Sequence, residues 1–292
     1  MMDWIRAVDT NLLVAVQSQA HPFFDQLFGL WTLLGNPIVL LWFCALLYWK
    51  KHEASAVAAL GTILAAGALT MVLKWSVLRL RPDAEWFRVR VFDIEENHSF
   101  PSGHALVSAS LWGFFSSHKD RALVLLTAIG VIGIAFSRVY LGAHFPSDVI
   151  AGLLAGLGIG WVLRRLGQRL KIEEKGQRHW KKIAALGCFI GIITFFVNPP
   201  FSVLLITGYS IGFFVGHFFP ANAILHGRRK KESAWKIILG SLGFVIGFVL
   251  ASQAFWPPLV FAWALLSGLW TTGFWPRVWQ SKINPLLFRH WD

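Results

Sequence analysis

Long apolar runs recur along this 292-residue chain, and they limit its fold more than any other sequence feature. Each run approaches the ~20 residues that an α-helix needs to cross the hydrocarbon core of a membrane. Because 55% of the residues are hydrophobic and only 14% are charged, a soluble domain is excluded. The pattern predicts an all-α, polytopic membrane helix bundle with about nine transmembrane helices. We expect these spans at residues 25–49, 54–74, 103–117, 122–141, 147–166, 181–197, 201–219, 234–253 and 257–275.

The region before the first span has a different character. Residues 3–20 predict a helix that is too short and too polar to cross a membrane, so we expect it to lie in the interface. No basic segment followed by an apolar core opens the chain, so no cleavable signal peptide is predicted. The two cysteines, Cys44 and Cys188, lack CxxC spacing and His-rich neighbours, which argues against a metal site or a redox pair.

Basic residues between the spans predict how the protein is oriented. The formal net charge is +12, but the cations occur in short loops, as the positive-inside rule expects for cytoplasmic loops. Nucleic acid is therefore not an expected partner. The sequence predicts a plasma-membrane or bacterial inner-membrane protein with a cytoplasmic C-terminus. The basic segments are Lys50–His52, His118–Arg121, Arg164–Lys182, Arg228–Lys231 and the tail after Arg277.

Three polar clusters stand at the ends of apolar runs, all on the predicted outer side. They are Lys74–Pro82, Pro101–His104 and Ser137–Asp148. Ionisable groups near a membrane core are costly, and they usually serve a functional site. The coincidence of three such clusters predicts an anion-handling site at the extracytoplasmic surface.

The first two clusters carry groups that suit a bound anion. Lys74 and Arg81 are seven residues apart, so they share a face if the helix continues through two turns. Gly103 allows close approach of the backbone, and the N–H groups of a helix N-terminus bind anions. Ser102 adds a hydroxyl donor, although a serine at this position is more often a helix N-cap.

The third cluster adds a candidate nucleophile. The spacing of His144 and Asp148 allows the carboxylate to accept the Nδ1–H, which leaves Nε2 free to attack. Such a pair is also common on helix surfaces. With Arg138, the cations match the oxygens of a phosphoryl group, and a protonated His104 would supply the leaving oxygen with a proton. Asp148 alone cannot hold Mg²⁺, so neither a metal nor another cofactor is expected.

In order, the clusters match Lys-x6-Arg-Pro, Pro-Ser-Gly-His and Ser-Arg-x5-His-x3-Asp. This pattern resembles the type 2 phosphatidic acid phosphatase superfamily, integral-membrane lipid phosphate phosphatases related to vanadium haloperoxidases. The resemblance implies that His144 is the nucleophile, His104 the general acid and Asp148 the residue that orients His144. It also implies a helical bundle around the site. The phosphate-binding residues that it implies are Lys74, Arg81, Ser102, Gly103 and Arg138.

Residues 1–170 are therefore predicted to form the catalytic domain, and residues 171–292 an additional C-terminal transmembrane module. Extra C-terminal spans are similar to those of sphingosine-phosphate-phosphatase-like members. The predicted function is metal-independent hydrolysis of a lipid phosphate or diphosphate at the outer face of the membrane, through a phosphohistidine. The expected partners are this lipid substrate and the bilayer. The identity of the lipid and the oligomeric state stay open.

Other functions use the same residues or none of them. A lipid phosphotransferase would need the same site and a different acceptor. A vanadium haloperoxidase has the same anion cage, but those relatives are soluble. A non-catalytic lipid transporter or scaffold would have no need of His104, His144 and Asp148.

Two further features have expected roles outside the chemistry. The polar segment Asp83–Phe100 is either a lid that contacts the lipid headgroup or a solvated loop. Glycines recur at every fourth position in two of the spans, which predicts close helix packing. They are Gly152, Gly156 and Gly160, then Gly208, Gly212 and Gly216, with a further pair at Gly243 and Gly247.

Overall fold

A computed structural model confirms the all-α fold class. It describes residues 2–91, 97–116, 120–169, 200–218, 234–253 and 256–279, and within these ranges the regular elements are helices. A five-residue π-helical segment, Trp270–Phe274, separates the last two α-helices. In chain order the α-helices are α1 (Met2–Gln17), α2 (Pro22–Leu33), α3 (Pro37–Trp49), α4 (Glu53–Val77), α5 (Gly103–Phe115), α6 (Arg121–Tyr140), α7 (Pro146–Arg169), α8 (Phe201–Phe218), α9 (Ala234–Ser252), α10 (Pro257–Leu269) and α11 (Trp275–Val278).

Several of these helices have the length and composition of membrane spans. Five described helices qualify, namely α4, α6, α7, α8 and α9, and the bent pair α2–α3 gives a sixth if it is one span. Helices α5 and α10 have 13 residues each, fewer than the ~20 needed to cross the hydrocarbon. The span predicted at 181–197 lies outside the described residues. The multi-pass architecture is confirmed, but the predicted count of nine is not.

The first predicted span, residues 25–49, is not one continuous helix. It is divided into α2 and α3, whose axes differ by 51°. The interruption ends at Pro37, which has no N–H to continue a helix, and the Asn36 side chain accepts a hydrogen bond from Ile38 N at 2.9 Å. Gly35 lies in the bend, where an added Cβ atom would be 2.9 Å from Cδ2 of His104. The bend between α2 and α3 therefore places Gly35 directly against His104 of the second motif.

The described chain forms two compact units. One unit contains residues up to Leu40 and continues from Thr62 through α7. The other contains Leu41–Gly61 and the described helices from α8 onward, so α4 contributes residues to both units. All three motifs belong to the first unit. The predicted functional division near residue 170 stays a prediction.

In the first unit, α5 and α7 pack with their backbones in contact. A Cβ atom at Gly156 would lie 2.2 Å from the backbone oxygen of Leu106, and one at Gly152 would lie 2.7 Å from that of Ser102. Gly160 makes an equally close approach to Ser110, at 2.2 Å. The glycine spacing therefore has the packing role predicted from sequence, and the tight crossing begins beside Ser102.

Helix α1 packs on this unit through an inner face. Leu13 is fully buried in a cluster formed with α5, α6 and α7. Trp4 is 70% exposed, whereas the carboxylate residue Asp9 is only 2% exposed. A carboxylate rarely tolerates such burial without partners, and Asp9 finds them at the site described below. The interfacial position of α1 stays a prediction.

The second unit repeats the use of glycine. A Cβ atom at Gly212 would lie 2.0 Å from the backbone oxygen of Leu265, so α8 and α10 are also in backbone contact. The buried Tyr209 hydroxyl donates to Thr271 Oγ1 at 3.1 Å, in the π-helical segment. Cys44 is a buried free thiol in this unit, while Cys188 lies outside the described residues.

Candidate active site

The first motif leaves its helix before Arg81. Helix α4 ends at Val77, and Leu78 adopts a positive φ of 53°, so Lys74 and Arg81 do not share a helical face. Instead, residues after Leu78 run alongside the segment that precedes the second motif, where Leu80 pairs with His98. The buried Lys74 donates to the backbone oxygen of His98 at 2.9 Å. The Arg81 guanidinium donates to the backbone oxygen of Ala143 at 2.8 Å, beside the third motif.

The second motif provides a helix N-terminus and a buried hydroxyl. Ser102 occupies the N-cap position of α5, but its side chain makes no capping hydrogen bond. Its Oγ is fully buried and has no hydrogen-bond partner among the described residues. Its backbone N–H donates to the backbone oxygen of Asp148 at 3.0 Å, which joins the second motif to the third. Ser102 therefore offers a spare donor where the N–H groups of α5 begin.

The third motif buries a guanidinium. Arg138, near the end of α6, is 1% exposed and donates to Thr32 Oγ1 of α2 at 2.8 Å. Its backbone oxygen accepts hydrogen bonds from the N–H groups of Ala143 and His144, at 2.9 and 3.2 Å. This turn brings His144 back to the end of α6 that carries Arg138.

The predicted direct hydrogen bond between His144 and Asp148 is not formed. His144 Nδ1 and Asp148 Oδ2 are 3.9 Å apart, which is too far for a hydrogen bond. The hydroxyl of Ser99 lies between them, 3.2 Å from His144 Nδ1 and in a short hydrogen bond with Asp148 Oδ2. The Asp148 carboxylate also accepts from the backbone N–H of Phe145 at 2.9 Å. A carboxylate therefore does stand behind the histidine, but a serine connects the two.

Charge and burial together keep His144 neutral. The side chain is 2% exposed, and burial is the main cause that holds its pKa well below the ordinary value. Nearby positive charges lower this pKa further, in the order Arg81, Arg138, Lys74 and His104. All four predicted cationic groups therefore act on His144. We call Lys74, Arg81, Arg138, Ser102 and the N-terminus of α5 the phosphate cradle.

Hydrogen bonding also fixes which nitrogen of His144 carries the proton. Arg81 Nη1 lies 3.0 Å from His144 Nε2. A guanidinium has donors but no acceptor, so Nε2 must be the accepting nitrogen and the proton of the neutral ring is on Nδ1. This is the tautomer that has a lone pair on Nε2.

Four residues near the motifs were missed in the sequence interpretation. Thr32 contacts Arg138, and Ser99 joins His144 to Asp148. Arg79 forms ion pairs with Asp148 and with Asp9, at 2.9 and 2.6 Å. Arg79 lies inside the Lys74–Pro82 cluster, and Ser99 lies two residues before the Pro-Ser-Gly-His motif, so the sequence positions of these two could have drawn attention.

The segment after the first motif is held at Arg88 and at Arg90, whose backbone N–H donates to the backbone oxygen of Leu141 at 2.9 Å. Gln17 of α1 bonds both backbone groups of Arg88, donating to its oxygen at 2.7 Å and accepting from its N–H at 3.1 Å. Arg88 also pairs with Asp25 of α2. Residues 92–96 lie outside the described part, so the lid role of Asp83–Phe100 stays a prediction.

The fold and this geometry define a multi-pass helical membrane protein with a buried cationic site around a neutral histidine. Residues 55–172 match the family model of the PAP2 superfamily. This match confirms the resemblance to the type 2 phosphatidic acid phosphatases that the three motifs predicted.

Curated relatives include lipid phosphatases. The chain is 33% identical over 114 residues to phosphatidylglycerophosphatase B of Bacillus subtilis, covering 35% of this chain and 53% of that protein. It is 36% identical over 144 residues to lipid A 1-phosphatase of Rhizobium etli, covering 44% and 60%. The alignments thus span little more than half the length of these relatives. The crystal structure of a PAP2-type phosphatidylglycerolphosphate phosphatase from B. subtilis has 25% identity and a TM-score of 0.45, covering 60% of this chain and 88% of that one.

Proposed function

We propose that this protein is a phosphoric ester hydrolase that removes phosphate from a lipid phosphate or diphosphate through a phosphohistidine at His144. One observation carries the proposal: a buried, neutral imidazole has an accepting Nε2 and is surrounded by the positive charges of Arg81, Arg138 and Lys74. Cations would hold the anionic oxygens of a phosphoryl group, while a neutral nitrogen is the form able to attack phosphorus.

In the proposed first step, substrate binding moves the Arg81 hydrogen bond from His144 Nε2 to a phosphate oxygen. The freed lone pair of Nε2 then forms the N–P bond while the bond from phosphorus to the lipid oxygen breaks. The electron pair of that bond stays with the leaving oxygen, which takes a proton from the protonated His104. The proton on Nδ1 of His144 does not move, and the lipid leaves as an alcohol or as a monophosphate.

In the second step, water replaces the histidine. The water oxygen bonds to phosphorus and gives one proton to His104, now neutral, which restores its protonated form. The N–P bond breaks, and its electron pair returns to Nε2 of His144. The net reaction consumes one water and yields inorganic phosphate and the dephosphorylated lipid.

The phosphate cradle would lower both barriers by binding charge as it develops. Fixed cations and N–H donors need no reorganisation at the moment of reaction, which makes them effective stabilisers of a phosphoryl transition state. Ser102 suits this role because its buried hydroxyl has no other partner among the described residues. Metal assistance is not part of the proposal, because Arg79, Ser99 and Phe145 already occupy the oxygens of Asp148.

A lipid substrate is proposed for two reasons. Both curated relatives named above are phosphatases of lipids, one of a glycerophospholipid and one of lipid A. The first and third motifs also stand at the ends of helices that are long and apolar enough for a membrane, so a lipid headgroup would reach the cradle while its chains stay in the bilayer. The headgroup itself is left open.

The test is a phosphate-release screen with purified protein in detergent. The panel contains phosphatidate, phosphatidylglycerol phosphate, undecaprenyl diphosphate, a sphingoid phosphate and lipid A. We expect release from at least one lipid, and His144→Ala should reduce this rate by at least about 10³-fold because the nucleophile is lost. His52→Ala serves as the matched control, since His52 is exposed in the turn before α4.

The same assay tests the independence from metal. Addition of EDTA should leave the rate unchanged. Strict dependence on Mg²⁺ would contradict the proposed chemistry, and full activity of His144→Ala would remove the nucleophile. Release from no lipid in the panel would refute the assignment of a lipid phosphatase.

A further inference from the structure

Ser99, which lies outside the three motifs, occupies the space between the proposed nucleophile and its carboxylate. It is fully buried, and its Oγ is 3.2 Å from His144 Nδ1. The same oxygen makes a short hydrogen bond with Asp148 Oδ2, whereas Nδ1 and Oδ2 are 3.9 Å apart. We call these two contacts the Ser99 bridge.

The direction of each hydrogen bond in the Ser99 bridge follows from the available protons. Arg81 can only donate to His144 Nε2, so the proton of the ring is on Nδ1 and points at Ser99. An ionised carboxylate can only accept, so Ser99 gives its single proton to Asp148. Ser99 therefore accepts from His144 and donates to Asp148, and neither contact competes with the other.

The opposite oxygen of Asp148 is held by Arg79. Arg79 Nη1 donates to Asp148 Oδ1 at 2.9 Å, and Nη2 donates to Asp9 Oδ2 at 2.6 Å. The guanidinium also lies over the ring of Phe145, 4.5 Å from its centroid. Asp9 in turn accepts from the backbone N–H of Ser147 at 2.9 Å. Arg79 is thus held by Asp9 of α1 and by both Phe145 and Asp148.

A second carboxylate–arginine pair in the same unit shows what an ordinary structural pair looks like. Asp25 and Arg88 join α2 to the segment after the first motif, and both side chains are 27% exposed. Asp25 also accepts a hydrogen bond at 3.0 Å from the hydroxyl of Tyr140, a residue of the third motif that has no predicted role in the site. In the Arg79 pair, by contrast, the Asp148 side chain is fully buried, and that carboxylate continues through Ser99 to His144.

We propose that Ser99 and Arg79 are positioning residues that act on His144 through Asp148. The inference rests on the proposed function, because it assigns a purpose to the geometry around the phosphorylated nitrogen. When Nε2 bonds to phosphorus, the imidazole becomes cationic, and the Ser99 bridge connects this charge to the carboxylate. Arg79 holds the carboxylate in place and balances its charge, so the proton stays on Nδ1. No bond forms or breaks along this chain.

Substitution of Ser99 and substitution of Arg79 should shift the acid limb of kcat/KM in opposite directions. Ser99→Ala disconnects the carboxylate from the imidazolium, so the acid limb of kcat/KM should move to lower pH. Arg79→Gln removes a cation and leaves the Asp148 charge unbalanced, so the limb should move to higher pH. The other charged or titratable groups that face His144 are unchanged in both variants: Arg81, Lys74, Arg138 and His104.

The experiment measures kcat, KM and the pH profile for release of phosphate from the best lipid of the panel. We expect Ser99→Ala to lower kcat about 10- to 100-fold with little change in KM, the range seen when a group that orients an active-site side chain is lost. Ser99→Thr, which keeps the hydroxyl, should recover most of the rate. The matched controls are Ser76→Ala, an exposed serine on α4 whose hydroxyl donates to Val72 O, and Asp25→Asn.

A second readout does not need turnover. Binding of orthovanadate, which resembles five-coordinate phosphorus, is measured against pH by calorimetry, and its acid limb should shift in the same two directions. If Ser99→Ala does not fold, Arg79→Gln tests the proposal alone. A shift of its acid limb to higher pH would support the positioning role, and a shift to lower pH would contradict it. Unchanged acid limbs in both variants, with His144→Ala inactive, would overturn the positioning role alone. A wild-type protein that releases no phosphate would refute the proposed function. The vanadate binding profiles would still test whether the Ser99 bridge acts on His144.

Discussion

At the scale of single residues, the central property of the site is a histidine that stays neutral among cations. Burial is the larger cause of its lowered pKa, and Arg81 is the first of the charges that add to it. The neutral, attacking form of His144 is therefore present at any pH above this lowered value. The acid limb of kcat/KM, which reports the free enzyme, should lie well below the usual range for histidine.

Arg81→Gln tests this electrostatic origin. Removal of the positive charge should raise the pKa of His144, so the acid limb of kcat/KM moves to higher pH. The same change removes a contact to the transition state, and kcat/KM at its optimum should fall by about 10²- to 10³-fold. The measurement is a pH–rate profile of phosphate release from the chosen lipid.

Arg90→Gln is the control for that profile. Arg90 is an exposed arginine of the segment after the first motif, and it is not among the charges that lower the pKa of His144 most, which are Arg81, Arg138, Lys74 and His104. Its substitution should change neither the limb nor the optimum. An Arg81→Gln profile that falls in height without moving on the pH axis would show that the charge does not govern the histidine.

Motif residues were predictable from sequence, whereas the residues that hold them were not. Lys74, Arg138 and His144 are recognised because cations and histidines are rare at the ends of apolar runs. Asp9 and Arg79 are 70 positions apart, and each has an ordinary explanation, as part of a polar helix face or of a basic loop. Ser99 lies close to the second motif in sequence, but that position does not predict its contact with His144. Their roles depend on contacts between distant segments, which no local spacing encodes.

At the scale of helices, the site depends on how closely α5 and α7 approach. Gly156 lies where a Cβ atom would meet the backbone oxygen of Leu106 at 2.2 Å, and this atom cannot rotate away. The same two helices carry Ser102 and Asp148, which are joined by a backbone hydrogen bond of 3.0 Å. Separation of the helices should therefore disturb the cradle as well as the fold.

Gly156→Ala should destabilise the protein by about 1–3 kcal/mol, as overpacking of a close contact does. Phosphate release should fall with it, because Ser102 and Asp148 move apart. Gly158→Ala is the matched control on the same helix, since a Cβ atom there would meet nothing within 4 Å. Thermal unfolding in detergent and the phosphate-release assay are measured for both. Equal stability and activity of the two variants would contradict the backbone contact.

The helices also show what apolar length predicts well and what it does not. Runs of sufficient length located α4, α6 and α7 to within a few residues of the predicted spans. The break between α2 and α3 was missed, because the apolar residues continue on both sides of Pro37 and predict a single span. The shared helical face of Lys74 and Arg81 was predicted for a helix that continues through two turns, but the helix ends at Val77, where Leu78 follows with a positive φ.

At the scale of the whole molecule, the two ends of the helices that carry the motifs bear different charged groups. The motifs stand at the end of α4, the start of α5, the end of α6 and the start of α7. The opposite ends carry basic residues outside the motifs, including Lys50 and Lys51 before α4, Arg121 at the start of α6 and Arg169 at the end of α7. The positive-inside rule predicts that these ends face the cytoplasm and that the motifs face outward.

Labelling of single cysteines in intact cells tests this orientation. In a background with Cys44→Ala and Cys188→Ala, one cysteine is introduced at an exposed position near the motifs, Glu85→Cys, or at the opposite helix ends, Lys50→Cys or Arg121→Cys. A membrane-impermeant maleimide should label only Glu85→Cys in intact cells and all three after lysis, because the outward site exposes its own segment to the reagent. Retained phosphate release shows that each variant is folded. Labelling of Lys50→Cys and Arg121→Cys in intact cells, with Glu85→Cys protected, would show that the active site faces the cytoplasm. This result would exclude a substrate in the outer leaflet.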